Sequence, residues 1–188
     1  MRSQIIAFLF ACFLVITVNA ATLNKREISP AAQKCINSIK EAGTQLEATK
    51  PDIDKFSSAD GYMSALKIHN KEQLIEKLLK EANNNCCSFD RFATEEIASV
   101  LGVVTDLVPR IVEVLTSIVS KKLAFKDLTL ATTIVKNDIQ KVGDLTSSLT
   151  ECILAKKGFL AEKIVGNTLK TQLDNAFSLA VKTLEKQA

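Results

Sequence analysis

The sequence is poor in the residues and patterns from which catalytic sites, linkers and sheets are built. Its 188 residues include one histidine, three prolines and six glycines. A single histidine, His69, argues against histidine-based catalysis and metal binding, and no G-x-S-x-G, H-E-x-x-H or P-loop pattern occurs. No segment reads as a linker, and no apolar alternation indicates a strand. We therefore expect one helical domain that is not an enzyme and that holds no cofactor or metal.

The charged residues give no sign of a nucleic-acid partner. Lysine and arginine outnumber acidic residues by 24 to 21, and the two signs are interspersed along the chain. No basic run with interleaved aromatics supplies the electrostatic footprint of a nucleic-acid interface. Apolar residues make up 47% of the chain, enough for a sizeable core in one domain.

The N-terminus has the pattern of a secretory signal peptide. Arg2 precedes an apolar run from Ile5 to Val18, and small or tolerated residues lead to an expected cleavage after Ala20. The run is shorter than the roughly 20 residues that span a bilayer, and no second hydrophobic span follows. Residues 1–20 are therefore predicted to be removed, which leaves a secreted protein without a transmembrane segment.

The mature chain is predicted to start with a flexible segment, residues 21–29, before one domain over residues 30–188. Lys25-Arg26 is a candidate dibasic processing site that would move the start from Ala21 to Glu27. The alternative is that the same basic pair is part of a solvated, frayed terminus. We expect the domain to be a monomer.

The chain is organised around a long helix from Thr94 to Lys121. At about 100° per residue its apolar side chains fall within one arc of roughly 160°, which implies contact with several helices. The arc keeps its phase across Pro109, so the helix is predicted to bend there without ending. The missing N–H of this proline leaves the Thr105 carbonyl without its usual partner.

Four further helices are predicted around this one. The first begins at Pro30 and is kinked or broken at Pro51, and the second runs from about Tyr62 to Ala82 and is ended by Asn83-Asn84-Asn85. After the long helix and a connection at Leu123–Lys126, the fourth runs from about Asp127 to Lys156. The last runs from about Leu160 to Glu185. The predicted fold is all-α, a five-helix and mainly antiparallel bundle with a long proline-kinked central helix.

Four cysteines remain after Cys12 leaves with the signal peptide. They are Cys35, Cys86, Cys87 and Cys152. An even count in an oxidising compartment favours disulfides, and a bond between the adjacent pair would be strained. Two pairings stay open, and each ties the loop after the second helix to the start of the first helix and to the end of the fourth. Metal binding is the less favoured alternative, because no second histidine is present.

Two polar residues lie on faces that are otherwise apolar. Asp138 falls within the apolar arc of the fourth helix, and a buried acid needs a partner. We expect a lysine or a helix end in that role; the alternative is that Asp138 anchors a ligand. His69 is expected to be a hydrogen-bonded packing residue beside Tyr62 and Leu66.

Four phenylalanines fall at the predicted helix junctions. They are Phe89, Phe92, Phe125 and Phe159. We expect them to cap the ends of the bundle core, and the alternative is a hydrophobic lid.

Several short motifs occur together in the long helix and its neighbours. They are Leu107-Val108-Pro109-Arg110-Ile111, Leu115, Lys121-Lys122, Phe125, Ile134-Val135-Lys136-Asn137-Asp138-Ile139 and Ala65-Leu66-Lys67-Ile68-His69. Together they resemble the fungal family of hydrophobic surface-binding protein A and the related cell-wall galactomannoproteins, over about Ile36 to Leu184. In two respects the chain departs from that family, since it has four mature cysteines and its mature sequence lacks Asn-x-Ser/Thr.

The resemblance implies a secreted, non-enzymatic helical protein that binds hydrophobic surfaces or holds fatty acids and similar lipids inside the bundle. Cell-wall polymers are a further candidate partner, which would place the protein in the medium or at the wall. The alternative function is a secreted protein-interaction module, an effector or inhibitor with a solid, disulfide-tied core.

Bent helices diverge, so we predict an elongated apolar cavity between the long helix and its neighbours. The candidate lipid-binding residues are Val104, Leu107, Ile111, Leu115, Val135, Ile139 and Val142. The competing prediction is that these residues close into a core of normal packing density.

Overall fold

The computed structural model describes residues 28–89, 91–156 and 160–186, and every regular element within them is helical. The elements are α1 (Pro30–Lys55), a 3₁₀ turn (Ser58–Asp60), α2 (Gly61–Cys87), α3 (Thr94–Ser120), α4 (Lys122–Lys126), α5 (Ala131–Ala155) and α6 (Leu160–Glu185). The all-α fold is confirmed, with one short extra helix, α4, in the predicted connection. The signal peptide, Lys25-Arg26 and Phe159 lie outside the described residues.

A single carboxylate joins the starts of α1 and α3. Ser29 caps α1 by accepting a hydrogen bond from the Ala32 N–H, ahead of a proline in the first turn. Glu96 accepts one hydrogen bond from the Ala93 N–H at 2.7 Å and another from the Ser29 N–H at 2.9 Å. The two helices therefore begin side by side.

The structure has no helix break at Pro51 and no helix end at the three asparagines. α1 continues through Pro51, and α3 continues through Pro109 as predicted. The prediction that three asparagines end the second helix is wrong, because α2 runs on to Cys87. Asn83 donates to the Leu145 carbonyl of α5, and Asn85 is buried and donates to the Ser38 hydroxyl of α1. These amides donate hydrogen bonds to groups on neighbouring helices, so tertiary contacts outweigh the tendency of asparagine to end a helix.

The five long helices form a closed ring. Each one packs against two others, in the order α1, α2, α5, α6, α3 and back to α1. At interaxial distances of about 8–10 Å, five axes lie roughly 8 Å from the centre, whereas a helix with its side chains has a radius of about 5–6 Å. A ring of five therefore leaves a central space that a bundle of four would close.

Neighbours in the ring are not always consecutive in the chain. Sequential long helices alternate in direction, as expected for an up-and-down bundle. Consequently α1 and α3, which are two apart in the chain, run parallel. Their residues pair in the same order along both helices, as in the ion pairs of Glu47 with Arg110 and of Lys50 with Glu113. The ring is therefore closed by long-range contacts rather than by short loops.

The two ends of the ring are held in different ways. At one end, disulfides join Cys35 to Cys86 and Cys87 to Cys152, which is one of the two pairings that the sequence left open. They link α1 to α2 and α2 to α5.

At the other end, no disulfide lies among the described residues. The rings of Phe56 and Phe125 stack there with centroids 4.5 Å apart, and both side chains are buried. Near the disulfides, Phe92 is buried and Phe89 is half-buried beside it. These described junction phenylalanines close the core as expected, rather than standing exposed as a lid.

Candidate functional site

The ring encloses an apolar cavity of about 290 Å³. All seven candidate residues line it, namely Val104, Leu107, Ile111 and Leu115 of α3 with Val135, Ile139 and Val142 of α5. The sequence did not assign walls to the other helices. Side chains of α1 such as Ile39 and Leu46, Ile75 of α2, and Leu173 and Phe177 of α6 complete the lining. Their apolar stripes were visible in the sequence, but the ring order that turns them inward was not.

The threonines of the lining add little polarity. Thr49, Thr146 and Thr150 donate their hydroxyl protons at 2.7–2.8 Å to backbone carbonyls one turn earlier in their own helices. With these donors satisfied, most of the wall offers a ligand only hydrocarbon contacts.

Close contact between α1 and α3 fixes one part of the wall. A Cβ atom added to Gly43 would lie 2.4 Å from Cδ2 of Leu107, far inside van der Waals contact. The absence of a side chain at Gly43 therefore lets Leu107 rest against α1, and this sets how far Leu107 reaches into the cavity.

Polar atoms of the lining gather where α2 faces α5. His69 Nδ1 lies 2.7 Å from Asp138 Oδ2 and 3.9 Å from an oxygen of Glu72. We call His69, Glu72 and Asp138 the carboxyl–histidine group. The expectation that Asp138 pairs with a lysine or a helix end was wrong, because its hydrogen-bond partner is His69. Half-buried His69 does hydrogen-bond as expected, and both residues line the cavity.

Burial controls the charge of this group. Burial, with the charge of Asp138 and the contact with Glu76, raises the pKa of Glu72 to about 8, so this carboxyl is mostly protonated at neutral pH. Burial also raises the pKa of Asp138, against the hydrogen bond from His69. The Oε1 atom of Glu72 is buried and has no hydrogen-bond partner. The Glu72 carboxyl nevertheless takes part in hydrogen bonds with Glu76 and Asp138, each of which acts to lower the pKa of the partner acid.

The same three side chains are the set of described residues that could hold a metal ion. Their potential ligand atoms lie within 4.8 Å of one another. Bonds of about 2.0–2.2 Å to zinc would bring the ligands to within roughly 3.5 Å of one another. The group is therefore better described as a hydrogen-bonded pair beside a neutral carboxyl than as a preformed metal site.

Four large apolar residues are exposed on the elements that meet at the phenylalanine end of the ring. These residues, which we call the apolar tip, are Tyr62, Met63, Leu123 and Leu130, each more than half exposed. Leu130 also has φ 68°, a left-handed conformation that costs a leucine energy.

A closed ring of amphipathic helices around an apolar cavity defines a helical protein with room for a small hydrophobic ligand. The chain belongs to the hydrophobic surface binding protein A family, whose model matches residues 31–155. The family resemblance carried by the sequence motifs is therefore confirmed. No curated protein matches this sequence significantly.

Solved structures share the fold. One is a crystal structure of AFMP4P in complex with palmitic acid, at 20% identity and a TM-score of 0.76, covering 81% of this chain and 99% of that one. Another is ligand binding domain 2 of the Penicillium marneffei MP1 protein complexed with multiple arachidonic acids, at 18% identity and a TM-score of 0.71, covering 86% and 97%. Ligand binding domain 1 of the same protein, complexed with arachidonic acids, has 14% identity and a TM-score of 0.63, covering 78% and 96%. At these identities the likeness establishes the fold alone.

Within the described part of the chain, no helix combines the length and apolar character needed to cross a membrane.

Proposed function

We propose that this chain is a secreted, non-enzymatic protein that binds the acyl chain of fatty-acid-like lipids in the central cavity of its helical ring. The observation that carries this proposal is the central cavity, whose wall is mostly apolar. Proteins that share the fold hold palmitic and arachidonic acids, which supports the same ligand class here. The volume is near the lower end of small-molecule pockets, about 300–1,000 Å³, and suits a single acyl chain.

The wall can supply the affinity. Each buried methylene contributes about 0.8 kcal/mol, so a chain of a dozen methylenes offers roughly 10 kcal/mol before ordering costs. Dissociation constants in the micromolar range or below are therefore feasible without a specific polar contact.

The secreted and non-enzymatic parts of the proposal have separate support. The signal-peptide pattern and two disulfides fit an oxidising, extracellular compartment. Among the described residues that line the cavity, none is a serine or cysteine nucleophile, and His69 is bonded to Asp138 rather than to a nucleophile. We propose a monomer free in the medium or held at a cell wall, with wall polymers as a further partner.

The test is uptake of a fluorescent fatty acid, with lipid extraction and mass spectrometry of the purified protein. Wild type should show saturable uptake and co-purifying lipid. Ile111→Trp fills the cavity and should abolish uptake, while helical circular dichroism and melting temperature stay close to wild type. Leu179→Trp is the matched control, because Leu179 is exposed on α6 outside the cavity. Absence of saturable uptake by a folded wild type would show that the cavity holds no acyl chain.

The apolar tip favours a second candidate function, adsorption to hydrophobic surfaces. Four large apolar side chains exposed at one end suit contact with an oil or polymer surface. The double variant Met63→Ser/Leu123→Ser should lose adsorption to polystyrene beads but keep fatty-acid uptake, whereas Ile111→Trp should do the reverse. Adsorption unchanged in the double variant would rule out the tip.

A further inference from the structure

The polar part of the described cavity wall contains carboxyl groups and a histidine, but no lysine or arginine. The lining threonines are hydrogen-bonded to backbone carbonyls. Besides Tyr62, the remaining polar residues of the lining are the three members of the carboxyl–histidine group. Among the described residues that line the cavity, none is a lysine or arginine. A ligand head group placed beside Glu72 and Asp138 therefore meets carboxyls and one imidazole.

Two lysines close to this group form ion pairs with a different acid, Glu76. Glu76, one turn after Glu72 on α2, is contacted at 3.3 Å by Lys80 of the same helix and by Lys141 of α5. Burial alone would raise the pKa of Glu76, but hydrogen bonds with Glu72 and both lysines hold it below its usual value. Lys141 is more than half exposed and points its charge at Glu76. The charge of Lys141 also acts on Asp138 and Glu72, but neither lysine lines the cavity.

A carboxylate head would be unfavourable in this place. It would bring a second negative charge close to Asp138 in a setting shielded from water, where no cation of the wall compensates it. A hydroxyl suits the place better, because it carries no charge and can donate a hydrogen bond to a carboxyl oxygen of the carboxyl–histidine group. The hydroxyl oxygen can in turn accept a hydrogen bond from a protonated carboxyl.

We propose that the carboxyl–histidine group makes the cavity select lipids with an uncharged hydroxyl head, such as a fatty alcohol or a monoacylglycerol, over lipids that end in a carboxylate. This inference rests on the proposed acyl-chain binding and specifies the head group. A fatty acid enters the same place in its protonated form, so its binding strengthens as the pH falls.

The test compares two ligands with the same chain. The uncharged probe diphenylhexatriene is bound to the full secreted protein at pH 7.4 and displaced with dodecanol or dodecanoate, each below its aggregation limit. We expect dodecanol to bind at least tenfold more tightly at this pH, and the gap to narrow at pH 5. Equal affinities, or tighter binding of dodecanoate at pH 7.4, would overturn the inference.

Two variants locate the effect. Asp138→Asn keeps the size of the side chain and its hydrogen bond to His69 but removes the negative charge, so the preference for dodecanol should fall severalfold. Glu72→Lys places a cation at the head group and should reverse the preference. Glu81→Lys is the matched control, because it makes the same charge change on an exposed part of α2 away from the cavity, and it should keep the wild-type preference.

The outcomes separate this inference from the proposed function. If wild type takes up neither the probe nor either ligand, acyl-chain binding itself is refuted. If the probe and both ligands bind but the preference is absent, or is unchanged in Asp138→Asn, only the head-group assignment fails. Should Glu72→Lys not fold, the Asp138→Asn ratio decides alone.

Discussion

His69 Nδ1 and Asp138 Oδ2 are 2.7 Å apart, and their hydrogen bond joins α2 to α5 at the wall of the cavity. These helices are neighbours in the ring but are separated in the chain by α3 and α4. Asp138 is only 6% exposed, so it depends on His69 for a partner. His69 is the only histidine of the chain.

Breaking this pair should destabilise the protein. His69→Phe keeps a ring of similar size but leaves buried Asp138 without its partner, so we expect a loss of about 2–3 kcal/mol in the free energy of unfolding. The double variant His69→Phe/Asp138→Leu should recover most of that loss, because no polar group is then stranded. Urea denaturation of both single variants and the double variant measures the coupling. Purely additive losses would mean that the two side chains do not interact.

Stability should fall as the pH rises from 5 to 8.5. The pKa of Glu72 is raised from 4.5 to about 8 in the folded chain, so between these values the folded state holds a proton that the unfolded state has released. We expect a loss of about 2 kcal/mol, less than the full shift because Glu72 keeps some contact with solvent, and a melting temperature lower by roughly 4–8 °C. Glu72→Gln should flatten this dependence, whereas Glu81→Gln should not. A melting temperature that rises over this range would contradict the protonated state.

Gly43→Ala should affect ligand binding more than stability. The new Cβ would collide with the end of Leu107, which can turn away at small cost, while alanine gains roughly 1 kcal/mol of helix propensity. The turned Leu107 should occupy part of the cavity and weaken fatty-acid uptake severalfold at a near-constant melting temperature. Gly102→Ala is the control, since nothing lies within 4 Å of a Cβ there. Unchanged uptake by Gly43→Ala would show that Leu107 does not limit the cavity.

The disulfides should carry much of the stability. Cys87 and Cys152 are 65 residues apart, and the chain-entropy model gives roughly 4 kcal/mol for closing such a loop. Cys87→Ser/Cys152→Ser should therefore lower the denaturation midpoint strongly but leave helical circular dichroism in place at low temperature. Titration of the wild-type protein with a thiol reagent in denaturant should find no free cysteine. Four reactive thiols would exclude both bonds.

The sequence predicted the parts of the fold that depend on periodicity. The apolar stripe of α3 was continuous across Pro109, and the helix is continuous. It did not predict that α2 would pass Asn85, because the partner of that amide, Ser38, is 47 residues away. Local preference favoured an end at the asparagines, and a tertiary hydrogen bond overrode it.

The sequence assigned the cavity wall to α3 and α5, which are two of the five long helices that line it. Residues such as Ile111 and Ile139 could be chosen because their stripes face each other next to a proline. The wall of α1 at Gly43 and the wall of α6 at Phe177 depend on the order of helices around the ring, which no local pattern encodes. The partner of Asp138 was missed for the same reason.

The two disulfides divide the ring unequally. They fasten α1, α2 and α5, which are consecutive around the ring, into one cross-linked arc, whereas α3 and α6 are attached to that arc by packing and hydrogen bonds. The seams between α1 and α3 and between α5 and α6 contain no covalent link among the described residues. To admit a bulkier ligand, we therefore expect α3 and α6 to move outward together. The cross-linked helices α1, α2 and α5 should keep their relative positions.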